Sequence, residues 1–172
     1  MKVDFSDIVA QQEELDKEIM SKHNTSYKKT FLERKLATLV ELGELANEIK
    51  SFKYWSIKGP SDKSVILEEY ADGLHFISGF FVQYKKEMKP LFVLSDKINQ
   101  ILDKKNINTR LINIYNLILK LNPSSDDTPS TLKNLYKSYL ELGLNLGYNI
   151  EEIKIGYKSK HEINHTRQNN NY

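Results

Sequence analysis

A chain of 172 residues, 40% hydrophobic, with 25 Lys and Arg against 23 Asp and Glu and a mean hydropathy of −0.54, has the composition of a soluble protein long enough to bury a core. The net charge of +2 gives no overall field for nucleic acid, and no stretch approaches the roughly 20 apolar residues of a membrane span. The absence of cysteine removes disulfides and thiolate chemistry, so any catalysis or metal binding must use oxygen and imidazole groups.

The N-terminal residues Met1-Lys2-Val3-Asp4 carry no apolar leader, and the expectation is a cytoplasmic protein without nucleic-acid or membrane partners. Residues 5–22 read as a first helix, in which Ile8, Leu15 and Ile19 share a stripe with Gln12, a polar amide among core positions. A second helix is expected from Thr30, where Thr30-x-x-Glu33 resembles a capping box, to about Trp55. Its apolar residues run almost all round, which predicts a central place. The run Lys58-Gly59-Pro60-Ser61-Asp62 breaks the chain before a third helix at 64–87, so helices two and three form a hairpin. Further helices are expected at 91–104, 109–121 and 130–147, with Gly147 a natural stop, and a last one from Ile150 to Gln168. The Pro- and Asp-rich stretch 122–129 reads as a loop inside one domain, and no strand or repeat signal competes. The expected fold class is all-α: a helical bundle around a central antiparallel hairpin.

That hairpin carries two short carboxylate patterns, Glu41-x-x-Glu44 and Glu69-x-x-Asp72. A three-residue step is about 60° short of a full helical turn, so each pair projects from one face, and Glu48 falls between Glu41 and Glu44 in projection. The same faces hold Ala37, Leu45 and Phe52, and Val65 and Phe76. Carboxylates among apolar neighbours repel one another and lose hydration unless a cation compensates, and a hard divalent ion taking oxygen ligands would do so. The alternative is a solvated face with ion pairs to Arg34, Lys35 or Lys50. In the tail, Lys160, Asn164 and Arg167 stand at i, i+4 and i+7, a cation, an amide and a guanidinium on one helical edge suited to phosphate oxygens; a frayed polar end is the plainer reading. No glycine-rich nucleotide loop is present, so phosphate chemistry would rest on metal and side chains.

The stretches Gln12-x-x-Leu15-Asp16, Glu41-Leu42-Gly43-Glu44, Phe52-Lys53-Tyr54-Trp55, Glu69-Tyr70-Ala71-Asp72-Gly73-Leu74-His75 and the tail from Lys160 to Tyr172 resemble the dimeric all-α dUTP pyrophosphatases of the MazG-like nucleotide pyrophosphohydrolase group. The resemblance covers most of the chain. It implies a homodimer that hydrolyses dUTP, and dUDP, with Mg²⁺ as cofactor. Under it, Glu41, Glu44, Glu69 and Asp72 match metal ligands, and Glu41 or Glu48 is the candidate general base. Gln12 and Asn164 match groups that bind uracil, with Asp16 able to accept from N3–H. Trp55 and His75 match the base and sugar pocket, and Lys53 belongs to the same Phe-Lys-x-Trp signature. Lys160, Arg167 and Tyr172 match phosphate-binding groups of a mobile closing tail, residues 157–172. Asp16 stands where some members have Asn, and His161 and Asn171 replace a common Asn and Gly.

From the residues alone, three readings of Gln12, Trp55 and His75 remain structural: a backbone partner, a core anchor and a neighbour of Asp72. Three other functions also stay open, one of them a non-catalytic helical interaction module. The metal motifs do not read a base, so dCTP or a damaged nucleotide is a rival substrate. A helical bundle with Asp72-x-x-His75 also shares features with di-metal carboxylate proteins.

Overall fold

The computed structural model describes residues 1–95 and 101–169. Six helices account for most of them: α1 (Ser6–Lys22), α2 (Phe31–Ile49), α3 (Lys63–Gln83), α4 (Lys104–Lys120), α5 (Thr128–Asn145) and α6 (Ile150–Asn169). Two three-residue strands, β1 (Lys2–Asp4) and β2 (Leu91–Val93), pair antiparallel in the register Lys2 to Val93, Val3 to Phe92 and Asp4 to Leu91. The fold is all-α apart from this ribbon. No helix among the described residues is long and apolar enough to cross a membrane.

The ribbon replaces the start of the helix expected at 91–104. Pro90 biases the preceding residue away from helical backbone, and Leu91-Phe92-Val93-Leu94 is an apolar run that suits a strand as well as a helix once a partner is present. The partner is the N-terminus, and the buried Val3 and Phe92 face each other across the pair. Residues 96–100 of the expected helix lie outside the described residues. From Lys104 the chain is helical, five residues earlier than expected, because Asp103 caps it by accepting from Asn106 N at 2.9 Å.

Three expectations for α2 are corrected. Thr30 does not cap through its side chain; its hydroxyl donates instead to Ser26 O, and the helix begins at Phe31. The helix also stops at Ile49 rather than near Trp55, because Lys50 takes a left-handed conformation (φ 57°) and its N–H closes on Ala46 O. The central helix is α3, not α2. In α3 the run from Tyr70 to Val82 is buried at nearly every position, and the helix packs against α1, α2, α5 and α6. The outer face of α2 instead leaves Leu32, Leu36 and Val40 exposed, one turn apart.

Helices α2 and α3 form the expected antiparallel hairpin. Arg34 meets Gln83 at one end, and Ser61 N donates to Glu48 O at the other, which places Glu41 opposite Glu69 and Asp72. Beneath this crossing, Tyr70 and Tyr139 stack at 4.6 Å and each hydroxyl donates to the other's backbone carbonyl at 2.9 Å. Gly73 permits that approach, since a Cβ there would stand 2.2 Å from the Tyr139 hydroxyl. On the other flank α1 and α6 run side by side in the same direction, joined in order by Asp7 to Lys154, Gln12 to Tyr157, Glu18 to His165 and Lys22 to Gln168.

Candidate active site

Three carboxylates converge where α2 crosses α3. One oxygen from each of Glu41, Glu69 and Asp72 lies within 4.8 Å of the others, and all three side chains are half-buried. Burial is the largest cause that pushes each of them up; for Glu41 and Glu69 the repulsion of the neighbouring carboxylates comes next, whereas at Asp72 the Lys160 ammonium opposes the rise, and Glu41 is raised to about 7. The cluster is thus a concentration of oxygen donors that the fold alone does not neutralise, which is the donor set a hard divalent cation takes. Glu44 lies outside the convergent trio but close enough to raise both Glu41 and Glu69 electrostatically. With Glu48 and Glu69 it lines an open concavity on the outer side of the cluster. Glu48 is anchored there, accepting from the Ser61 hydroxyl and pairing with Lys50 at 3.9 Å.

The tail helix supplies a partial counter-charge. Lys160, only 6% exposed, sets its ammonium 2.7 Å from Asp72 Oδ2 and 3.1 Å from Glu68. Neutralisation of Asp72 by Lys160 is why that carboxyl is pulled back toward its ordinary range while burial pushes it up. The alternative partners Arg34, Lys35 and Lys50 do not pair with the trio: Arg34 bonds Gln83 and Tyr27 O, Lys35 bonds Leu119 O and Leu121 O, and Lys50 bonds Ser61 and Glu48.

A cavity of about 420 Å³ opens beside the cluster and shares Glu41 and Asp72 with it. Its walls bring together Gln12 and Asp16 of α1, Arg34 of α2, His75 and Phe76 of α3, and Asn164 and Arg167 of α6. Leu15, Ile19 and Met20 make much of the remaining lining apolar, the balance expected of a small-molecule site.

The polar side of this cavity is a hydrogen-bond network. Gln12 Oε1 lies 2.7 Å from the Tyr157 hydroxyl and 2.8 Å from His75 Nδ1; a carbonyl oxygen only accepts, so both neighbours donate to it. Gln12 Nε2 donates to Asp16 Oδ1 at 2.8 Å, and the Tyr27 hydroxyl donates to Asp16 Oδ2 at 2.8 Å. His75 stacks on Tyr157 with ring centres 4.0 Å apart, and burial drives its pKa down to about 3, so it is a neutral donor. With its single proton on Nδ1, the other nitrogen presents a lone pair to Tyr157 O at 3.2 Å and donates nothing there. His75 is therefore turned away from the carboxylates, which removes the Asp-x-x-His ligand pair on which the di-metal alternative rested. Burial raises Asp16, and the two donated hydrogen bonds oppose that rise.

Lys53 and Trp55 are not brought to this cavity. Since α2 ends at Ile49, they sit in the loop before α3, where Trp55 is 64% exposed and packs edge-on against Phe52 and Tyr54. Lys53 donates to Asn47, which lines the outer concavity with Glu44 and Glu48. Tyr172 lies outside the described residues. Tyr157, Tyr27 and Arg34 are site residues that sequence reasoning missed. The first had a legible signal, standing one turn before Lys160 on the same helix; Tyr27 lies between helices and Arg34 read only as a counter-ion.

These features define a class: an all-α bundle that holds a carboxylate cluster at the mouth of a nucleotide-sized, half-apolar cavity. No curated protein matches the chain. A sequence model of the dUTPase family matches residues 4–172, nearly the whole chain, and the protein belongs to that family. It is a dUTP diphosphatase, a hydrolase of nucleotide metabolism.

Proposed function

We propose that the cation is Mg²⁺, held by Glu41, Glu69 and Asp72 with Glu44 beside them, and that the products are dUMP and pyrophosphate, with dUDP cut to dUMP and phosphate. The reaction would limit uracil incorporation into DNA. The observation that carries this reading is the sharing of Glu41 and Asp72 between the acidic cluster and the cavity that holds Gln12, Asp16, His75 and Asn164. When bound, the cation supplies neutralisation of phosphate charge and a more acidic water. The side chains do the rest. Glu41 or Glu48 takes the proton of the attacking water, while Lys160 and Arg167 balance the phosphates and Lys53 stands at the outer concavity. Base choice follows from which hydrogen-bonding groups are already used. Gln12 Oε1 has both of its lone pairs engaged, so only the second Nε2 proton remains for a uracil carbonyl. The acceptor for uracil N3–H is then Asp16, each of whose oxygens accepts one internal bond and has capacity for another. Cytosine would place a lone pair at N3 against that carboxylate. Asn164 completes the edge, and His75 with its stacked Tyr157 forms the wall.

Residues 157–172 act as the closing segment of a one-domain protein, and α6, docked on α1 and α3, is the start of that closure. A homodimer is supported by the exposed stripe Leu32, Leu36 and Val40 on α2 and by the exposed rings of Phe52, Tyr54 and Trp55, and Trp55 would meet a nucleotide only as one held by the second copy. The cytoplasm is the expected setting. The testing experiment is pyrophosphate release from each deoxynucleoside triphosphate with and without Mg²⁺. Release from dUTP alone, and only with Mg²⁺, supports the reading; equal rates on dUTP and the four standard triphosphates, or rates indifferent to chelation, overturn it.

A further inference from the structure

Away from the carboxylate cluster, the seam between α1 and α6 carries a second group of metal-ligating side chains. His161 and His165 stand one turn apart on α6, and their Nε2 atoms approach to 3.1 Å. Behind them, Glu18 of α1 accepts from His165 Nδ1 at 2.8 Å, and Glu14, one turn earlier on α1, acts electrostatically on His161. We propose that His161 and His165 form a clip for a borderline transition-metal cation of the Zn²⁺ class, distinct from the Mg²⁺ cluster, that pins the C-terminal half of α6 to α1.

The geometry fits such an ion. With metal–nitrogen distances of roughly 2.0–2.1 Å and bite angles between square and tetrahedral, two imidazole ligands stand roughly 2.8–3.4 Å apart, which brackets the observed separation. Glu18 fixes the proton of His165 on Nδ1, which leaves the Nε2 lone pair aimed at its neighbour. A carboxylate behind a ligating imidazole is the usual outer partner of a histidine metal ligand. In the free protein the lone pair of His165 receives the Nε2–H of His161; a cation displaces that proton to Nδ1 of His161 and joins both nitrogens. Both residues are partly exposed, so the ion has access, and water completes its coordination. Imidazole nitrogen suits Zn²⁺, Ni²⁺ and Cu²⁺, whereas Mg²⁺ prefers oxygen, so the two sites select different ions. The consequence concerns the closing helix, because the turns that carry the clip also carry Asn164 and Arg167 of the cavity wall.

The test is calorimetric titration of the full chain with Zn²⁺ in a large excess of Mg²⁺. One Mg²⁺-insensitive Zn²⁺ site is expected. His161→Ala and His165→Ala should each weaken it at least about 100-fold, Glu18→Gln by roughly 10–100-fold, and Asp72→Asn not at all. Zn²⁺ should also raise the melting temperature of the unsubstituted chain and not that of the histidine variants. If those variants fail to fold, the imidazole nitrogen resonances of the unsubstituted chain decide: shifts of the Nε2 signals of His161 and His165 at one equivalent of Zn²⁺ support the clip. Unshifted signals, absence of Mg²⁺-insensitive binding, or undiminished binding by the histidine variants overturns it and leaves the pair as an imidazole-to-imidazole hydrogen bond.

Discussion

The carboxylate cluster at the α2–α3 crossing and the Gln12 network at the α1–α3–α6 junction lie on the two sides of one cavity and are built on opposite principles. In the cluster, three half-buried acids face one another with Lys160 as a close counter-charge and Arg167 acting electrostatically on Asp72, and all three are raised above their ordinary range. In the network, Gln12, Asp16, Tyr27, His75 and Tyr157 answer each other's hydrogen bonds. The first is incomplete without a cation and is suited to chemistry; the second is braced from within, keeps one Gln12 N–H and the spare acceptor capacity of Asp16 for a base, and is suited to holding a shape that a base must match. One side sacrifices stability for reactivity, and the other spends its polar groups on rigidity.

Removing the tail strikes both sides at once and should have the largest effect. Truncation after Gly156 takes away Lys160, Asn164 and Arg167, and also Tyr157, which is fully buried and donates to Gln12. The expected outcome is loss of measurable dUTP hydrolysis together with a destabilisation of about 3–5 kcal/mol, read by activity assay and thermal melting. Arg167→Ala, from the exposed side of the helix, should by contrast lower kcat/KM by about 2–4 kcal/mol in transition-state terms with little change in melting temperature. A truncated chain as active and as stable as the intact one would remove α6 from the site.

On the cluster side, Asp72→Ala or Glu44→Ala should lower kcat/KM at saturating Mg²⁺ by at least about 10² while the fold survives. Near wild-type activity in either variant would contradict the metal assignment. On the network side, Gln12→Ala should cost about 1–3 kcal/mol of stability, because it leaves Tyr157, His75 and Asp16 short of a partner in a buried place. An unchanged melting temperature would show that the network does not hold the wall.

The two sides were not equally legible in the sequence. The cluster announced itself, since E-x-x-E and E-x-x-D are local spacings that a helix converts directly into a shared face, and α2 and α3 are adjacent in the chain. The network is assembled from α1, α3, α6 and the loop before α2, so Gln12 was visible only as a polar residue in an apolar stripe, while its partners Tyr157 and Tyr27 depend on long-range packing. The same limit explains the misplaced centre of the fold. Apolar residues surround both α2 and α3 in projection, but only contacts from α1, α5 and α6 decide that α3 is enclosed. The β1–β2 ribbon was hidden for a related reason, because Leu91-Phe92-Val93 becomes a strand only when the N-terminus pairs with it.

The smallest effect is a pH dependence that should separate the sides further. Glu41 rises from an ordinary 4.5 to about 7, so the folded state holds its proton more tightly than the unfolded chain does. The metal-free protein should therefore lose stability as pH rises from about 4.5 to about 7, and Glu41→Gln should flatten that slope. Thermal melts across this range in chelator check it; a metal-free stability that rises with pH and falls with Glu41→Gln would mean that the cluster is already neutralised within the fold.

The division of labour is tested most directly by one comparison: pyrophosphate release from dUTP and from dCTP by the unsubstituted protein, Asp72→Ala and Gln12→Ala at saturating Mg²⁺. Asp72→Ala should lower both rates together and leave their ratio in place, while Gln12→Ala should narrow the ratio, since a site that hydrogen-bonds a base edge loses discrimination when its donor is removed. An unchanged ratio in Gln12→Ala, or a ratio that collapses in Asp72→Ala, would contradict the account.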